Sequence, residues 1–273
     1  MSDASTFRHL LLTRFNVRMQ WLDEARGVTE EWLEHRFELF ERFCLPSVSA
    51  QTCQDFTWLV FLDAATPDRW RARIAAHAER FPNLVPRYVE LFDWFALRAT
   101  MDEFAPPRDD LDLITTRLDN DDSMARTMIE RVQSCWSSGY TRPRLITFEH
   151  GLFFRHEKVY DTIYPNNPCT SVIESSVKPK TALHFNHIEA DQHVETERLR
   201  GDPAWMLVVH DRNVLNRVRG RRCSLAVLRE HVAMNAMPVH ENPIEVAAGR
   251  VTSGMFWQAW RLINALRRVL RRG

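Results

Sequence analysis

The order of apolar and polar positions divides the first half of the chain into short apolar runs and longer segments of helical period. Residues 9–15 are mainly apolar and close on Arg14, Phe15 and Asn16, which predicts a first buried strand. Over residues 29–44, Trp32, Leu33, Phe37, Phe40 and Phe43 recur at the spacing of one helix face. Thr29 stands at the expected N-cap, and Pro46 lies just past the expected end. Residues 56–62 predict a second strand ending at Asp63. Residues 67–81 predict a helix with Pro67 in its first turn, and residues 84–91 a third strand. A helix over 92–104 is stopped by Pro106 and Pro107. Residues 111–118 then form a short apolar run with β-branched Ile114, Thr115 and Thr116, a fourth strand. Helical spacing resumes at Ser123, with Met124, Met128, Ile129 and Val132, and runs to about Trp136.

Strands alternating with helices predict an α/β fold: a mostly parallel, Rossmann-like sheet with right-handed crossovers, flanked by helices. Asp119, Asn120, Asp121 and Asp122 fall where the fourth strand stops. Ligands of α/β sheets bind at that end of the strands. Three carboxylates and an amide in four residues need positive charge among them, and a hard divalent cation such as Mn2+ or Mg2+ takes oxygen ligands. The same residue types also cap helices and make turns, so Asp121 or Asp122 as an N-cap is an equal reading. Both roles are compatible if Asp122 caps while Asp119 and Asp121 face the ligand. No GxGxxG follows the first strand and no Walker A loop is present. With only 8 Gly in the chain, a bound phosphate is expected on metal or Arg rather than in a glycine cradle.

Past residue 140 the pattern becomes mixed. Residues 144–149 and 152–156 predict a hairpin around His150 and Gly151. Residues 170–174, 181–185 and 205–209 predict short strands. Residues 224–234 predict a helix with Leu225, Leu228 and Val232 on one face, and 235–253 read as loop. Residues 255–272 regain helical spacing, with Phe256, Trp260, Ile263, Leu266 and Leu270 near one face and Arg261, Arg267, Arg268, Arg271 and Arg272 flanking it. A basic amphipathic helix of this kind lies on a membrane surface, or packs on its own domain or a second subunit. The organisation expected is one domain over 1–254, with a nucleotide half (1–139) and an acceptor half (140–254), followed by the helix of 255–273.

Lys+Arg and Asp+Glu both number 36, so no global charge argues for nucleic acid. The 5 Cys (Cys44, Cys53, Cys135, Cys169 and Cys223) are scattered, without CxxC, which suits a reducing compartment and argues against a zinc cluster. The N-terminus has no basic segment followed by a long apolar run, and no stretch reaches the ~18 apolar residues of a membrane span. A cytoplasmic protein is expected, with peripheral contact at the inner face of the cytoplasmic membrane through 255–272 as the membrane reading.

The acidic motif closing a parallel α/β half resembles the Asp-x-Asp motif of GT-A-type glycosyltransferases. More closely, the chain resembles a bacterial family of rhamnosyltransferases. The matching stretches are 12–16, 46–52, 55–60, 116–122 and 208–213, of which Arg117-Leu118-Asp119-Asn120-Asp121-Asp122 is the most specific. This resemblance implies a metal-dependent transfer of a sugar, L-rhamnose from a dTDP donor, to a glycan or lipid-linked hydroxyl. It places Asp121 on the metal and Asp119 beside it near the ribose or donor sugar, with Asp122 as alternative. A second metal ligand from the C-terminal half would be His210, with His184 and His187 as competitors. Arg14 and Asp63, at the ends of the first two strands, would face the diphosphate, base or ribose, or else form a salt bridge. Arg117 would join them or only neutralise the cluster. An inverting transfer needs a carboxylate base; Glu174 is the first choice, with Asp191, Glu189 and Glu149 as alternatives. A nucleotidyltransferase would share the topology but normally carries a Gly- and Arg/Lys-rich loop after the first strand, which is missing. A non-catalytic sugar-nucleotide or polysaccharide binder of the same fold is the third reading.

Overall fold

The computed structural model describes residues 6–19, 28–137, 143–184, 193–210 and 218–270, without the side chains of 256 and 258–270. The strands, in chain order, are β1 (Thr6–Arg14), β2 (Thr57–Asp63), β3 (Leu84–Val89), β4 (Leu111–Arg117), β5 (Ser123–Met124), β6 (Arg144–Phe148), β7 (His150–Arg155), β8 (Lys158–Ile163), β9 (Thr170–Ser175), β10 (Glu195–Leu199), β11 (Trp205–Val208) and β12 (Arg221–Cys223). The helices are α1 (Glu30–Leu39), α2 (Leu45–Ser49), α3 (Asp68–Arg80), α4 (Trp94–Phe104), α5 (Met128–Gln133), α6 (Leu225–His231) and α7 (Pro243–Leu270).

The main sheet has seven strands in the order β10-β6-β9-β4-β1-β2-β3. β4, β1, β2 and β3 are mutually parallel, β9 is antiparallel to both neighbours, and β10 pairs parallel with β6. The mostly parallel α/β sheet flanked by helices is therefore as the periodicity predicts. Leu10, Leu11 and Leu12 of β1 and Trp58 to Leu62 of β2 are all buried. Helices cover both faces of such strands, so they read as unbroken apolar runs rather than alternating ones. A second sheet has the order β12-β8-β7-β11-β5. It shares a core cluster with Leu39 and Phe43 of the first helical run and Leu225 and Leu228 of α6.

Several elements differ from the sequence expectation. The first helical run does not stop before Pro46: α1 passes through a π-helical turn, Phe40–Cys44, into α2. Pro46 falls just after the π turn inside this continuous run, and the nearby Glu41 and Arg42 carbonyls accept instead from Asn235 Nδ2 and Asn235 N. No helix starts at Ser123; Ser123 and Met124 pair with Met206 and Trp205, and α5 begins at Met128. Residues 144–156 are not a hairpin, because β6 and β7 belong to different sheets. The hairpin is β7–β8, turned at His156 and Glu157 with φ of 47° and 59°, the signs a two-residue type I′ turn requires. Residues 181–184 are turn rather than strand, and 243–253 are helix rather than loop. β8, β10 and β12 are short, largely polar strands that the apolar pattern does not flag.

Candidate functional site

The acidic stretch lies at the carboxyl end of β4, and residues 118–122 carry the chain from the main sheet into β5 of the second. The 46–52 stretch fixes this crossing. Gln51 Nε2 donates to Ser47 O and Ala125 O at 2.8 Å, and its Oε1 accepts from Ile129 N at 3.0 Å. Ser47 Oγ accepts from Met124 N, and Ser123 Oγ donates to Phe43 O at 2.9 Å. These buried side chains give the loop a fixed floor, so that part of the motif is structural.

Above this floor each acidic side chain has its own partner. Asp119 takes Arg117, with Nη2 to Oδ2 at 2.9 Å, while Arg14 Nη2 stands 4.0 Å from its Oδ1. Asn120 is buried; its Nδ2 donates to Phe15 O and its Oδ1 accepts from Arg36. Asp121 Oδ2 accepts from Arg36 Nη1 at 2.8 Å and lies 3.0 Å from His210 Nε2. The His210 ring meets that of His35 edge to face at 5.2 Å. Asp122 Oδ1 accepts from Val208 N at 2.8 Å. Burial, then Asp121 and Asp119, push the Asp122 carboxyl well above its ordinary pKa. The Cys44 and Cys169 thiols are pushed up by burial and by the same carboxylates. Asp122 thus ties the loop to the end of β11 and is not an N-cap; α5 starts behind Thr127.

Arg14, Arg117, Asp119, Asp121 and His210, from widely separated parts of the sequence, therefore meet at one edge of the sheet. Arg36, on α1, is a member that sequence reading missed. Its signal was present, since a helix facing strand ends is where an interior-facing Arg would be sought. Asp63 takes a different partner from Arg14: Arg18 Nε donates to it at 2.8 Å, and it accepts from Ala65 N. Asn16 Oδ1 accepts from Asp63 N. Arg14 instead reaches toward Asp119, and its Nη1 contacts Met19 Sδ at 3.5 Å.

Glu174 is not brought to this edge. It pairs with Leu113, four residues back along β4 from Arg117, roughly 13 Å at strand rise. Its oxygens accept from Lys180 N and Thr181 N, both at 2.7 Å. A turn in the backbone therefore uses the carboxylate, and burial raises its pKa. Glu149 is placed quite differently. Ser171 of β9 lies between Thr116 and Ile146, so Glu149, just past β6, leaves the sheet at the same end as the acidic loop. β6 and β4 themselves lie two strand spacings apart, roughly 10 Å. Glu149 is buried, with Oε2 accepting from Arg200 Nε at 3.0 Å. His184 touches Trp94, 6.5 Å between ring centroids. His187, Glu189, Asp191 and Asp211 lie outside the described residues.

Among the described residues no three His, Cys, Asp or Glu side chains gather as a metal site. Asp121 and His210 nevertheless converge from the end of β4 and the end of β11, and hard divalent ions commonly use one or two protein ligands together with substrate phosphates. That pair fits such an ion; Arg36 already supplies positive charge to the same carboxylate oxygen.

No curated protein matches the sequence. Solved structures that the chain matches include S. aureus TarS 1-349, with 10% identity and a TM-score of 0.43, covering 74% of this chain and 60% of that one. The same protein in complex with UDP-GlcNAc gives 10% identity and 0.43 over 76% of this chain and 60% of that one. A chain described as "a Putative Glucose-1-Phosphate Thymidylyltransferase from Bacillus anthracis" gives 8% identity and 0.37, over 73% and 88%. This chain thus spans less than two thirds of the length of the TarS chains. The family described as "Putative rhamnosyl transferase" matches residues 6–222, nearly all of the fold up to the start of β12. The chain belongs to that family.

Proposed function

We propose that this chain transfers a sugar, L-rhamnose from a dTDP donor, to a hydroxyl of a glycan or lipid-linked acceptor, with a divalent ion held at Asp121 and His210. The observation that carries the reading is the meeting of Asp119, Asp121, His210, Arg14, Arg36 and Arg117 at the carboxyl end of a parallel sheet. A nucleoside diphosphate leaving group develops negative charge, and fixed cations around its position stabilise the transition state. Arg14, Arg36 and Arg117 are that set, and each is pre-positioned by a carboxylate or amide of the acidic loop. A divalent ion, when bound, adds charge neutralisation at the diphosphate. Arg36 donates to Asp121 Oδ2 and fixes that carboxylate; His210 Nε2, 3.0 Å from the same oxygen, would give up that contact and turn its lone pair to the ion when the ion is bound.

For transfer with inversion we assign the base to Glu149. Glu149 leaves the sheet at the same end as Asp119, two strands away, and its carboxylate accepts from Arg200 Nε. Glu174 lies too far along the sheet to take that part.

Incubating the protein with a panel of nucleotide sugars, with Mn2+ or Mg2+ and with chelator, and scoring nucleoside diphosphate release tests the proposal. One donor should be hydrolysed slowly, only with the ion, and Asp121→Ala should abolish ion-dependent binding of the nucleoside diphosphate in calorimetry. Pyrophosphate release from a nucleoside triphosphate would make the protein a nucleotidyltransferase. Binding without any release would make it a binding protein.

A further inference from the structure

Helix α7 has two different faces. One is packed on β12: Val246 is buried, Arg222 N donates to Ser253 Oγ at 2.8 Å, and Gly249 is tight against the Arg222 stem. A Cβ at Gly249 would come within 3.1 Å of Arg222 Cγ. The other face carries Ile244, Val251 and Met255, which are 78%, 61% and 67% exposed, with Ala247 and Ala248 exposed between them. Their intervals form a single apolar stripe along a helix. The helix has 28 residues, about 42 Å at helical rise. None of the helices, among the described residues, is long and apolar enough to cross a membrane.

Charge selects what covers the stripe. After Glu245 the sequence contains Arg250, Arg261, Arg267, Arg268, Arg271 and Arg272, and no Lys, Asp or Glu. Pairing α7 with a second copy would set two arginine-rich segments against a single acid of each helix, Glu245. An anionic lipid surface supplies both missing components, apolar chains for the stripe and phosphates for the arginines. We propose that α7 lies flat on an anionic membrane surface, with Ile244, Val251 and Met255 in the headgroup boundary. The proposal is independent of which reaction the sheet edge performs.

Sedimentation of the full chain with phosphatidylcholine vesicles, with and without phosphatidylglycerol, tests it. Binding is expected only with phosphatidylglycerol, and it should fall as salt is raised. The variant Val251→Glu with Met255→Glu should lose that binding at an unchanged melting temperature, since both residues are exposed. Replacing Arg267 and Arg268 by Gln should weaken it roughly thirty-fold, taking each Arg at the surface value for a polybasic segment. Equal binding to phosphatidylcholine alone, or no binding to either vesicle, overturns the proposal. So does a dimer in sedimentation equilibrium that Val251→Glu dissolves, because a second copy then covers the stripe.

Discussion

Replacing Asp122 separates its structural role from the ligand role of Asp121. Asp122 Oδ1 accepts from Val208 N at 2.8 Å, and Val208 is buried. In Asp122→Ala that N–H loses its acceptor inside the protein. A buried donor left unsatisfied costs about 1–3 kcal/mol. At roughly 2–4 °C per kcal/mol for a chain of about this size, a 2 kcal/mol loss lowers the Tm by about 4–8 °C. Asp122→Asn behaves differently. The amide oxygen still accepts from Val208, and the substitution removes a carboxylate whose charged form burial, Asp121 and Asp119 all disfavour. It should melt within about 1 kcal/mol of the native protein, on either side. The binding readout adds a second axis. His210 lies two residues beyond Val208, so Asp122→Ala should also weaken ion-dependent nucleoside diphosphate binding, whereas Asp122→Asn should keep it. Asp121→Asn should lose it without a comparable fall in Tm. Thermal melts followed by circular dichroism, paired with calorimetric titration, measure all three. Native-like melting of Asp122→Ala, or loss of binding in Asp122→Asn, would refute the division of roles.

Glu149→Gln should reduce transfer by about 10²–10⁴-fold while leaving donor affinity near native; Glu174→Gln should leave the transfer rate of the folded fraction intact but lower the Tm, because one of its two N–H partners then faces an amide NH2. A single-turnover assay on both variants decides between them, and a Glu174→Gln enzyme that folds normally but does not transfer would reverse the assignment. Gly151→Ala places a methyl group on the buried Trp205 indole, whose N–H is fixed to Phe148 O at 2.7 Å; overpacking of about 3 kcal/mol is expected in urea unfolding, and a native-like midpoint would mean that the ring can swing aside. His77 and Arg73 outweigh burial at Glu41 and hold its carboxyl at about 2, below its ordinary 4.5. A lowered pKa contributes stability above the unfolded value and loses it as pH falls from 4.5 toward 2, so Glu41→Gln should flatten that part of the acid-denaturation curve; an unchanged slope would show that the pair contributes nothing.

The parallel half of the fold was legible because its strands and helices are long and strongly periodic. Trp58 to Leu62 and Phe37 to Phe43 leave little room for another reading. The second half was less legible because its strands are short and partner at long range. β5 has two residues and is defined by Trp205 and Met206, more than eighty positions away. No local pattern reveals that, and the helical spacing of Met124 with Met128 points the wrong way. The acidic cluster stood out in the sequence because four polar acceptors in a row fall where a strand ends, although helix capping was an equal reading there. The division of labour inside it was not. It depends on Arg36 and Val208, which reach the loop only through tertiary structure. Glu174 misled for a related reason: a carboxylate after an apolar run looks held for chemistry, but the direction of β9 carries it away from the edge.

The placement of β9 between β4 and β6 has a consequence for synthesis. Until residues 170–175 emerge from the ribosome, β4 is an open edge, with Leu111, Leu113 and Ile114 uncovered on that side and a row of unpaired backbone groups. At ~5–20 residues per second that interval lasts roughly 3–12 s. The nascent first half therefore spends seconds as a sticky half-sheet, in which neighbouring chains on a polysome can add a strand to β4 before its own partner arrives. A fragment ending near residue 139 remains in that state indefinitely and should be recovered in inclusion bodies rather than as a small domain. The strand that completes the sheet thus also ends the period in which the chain is exposed to its own copies.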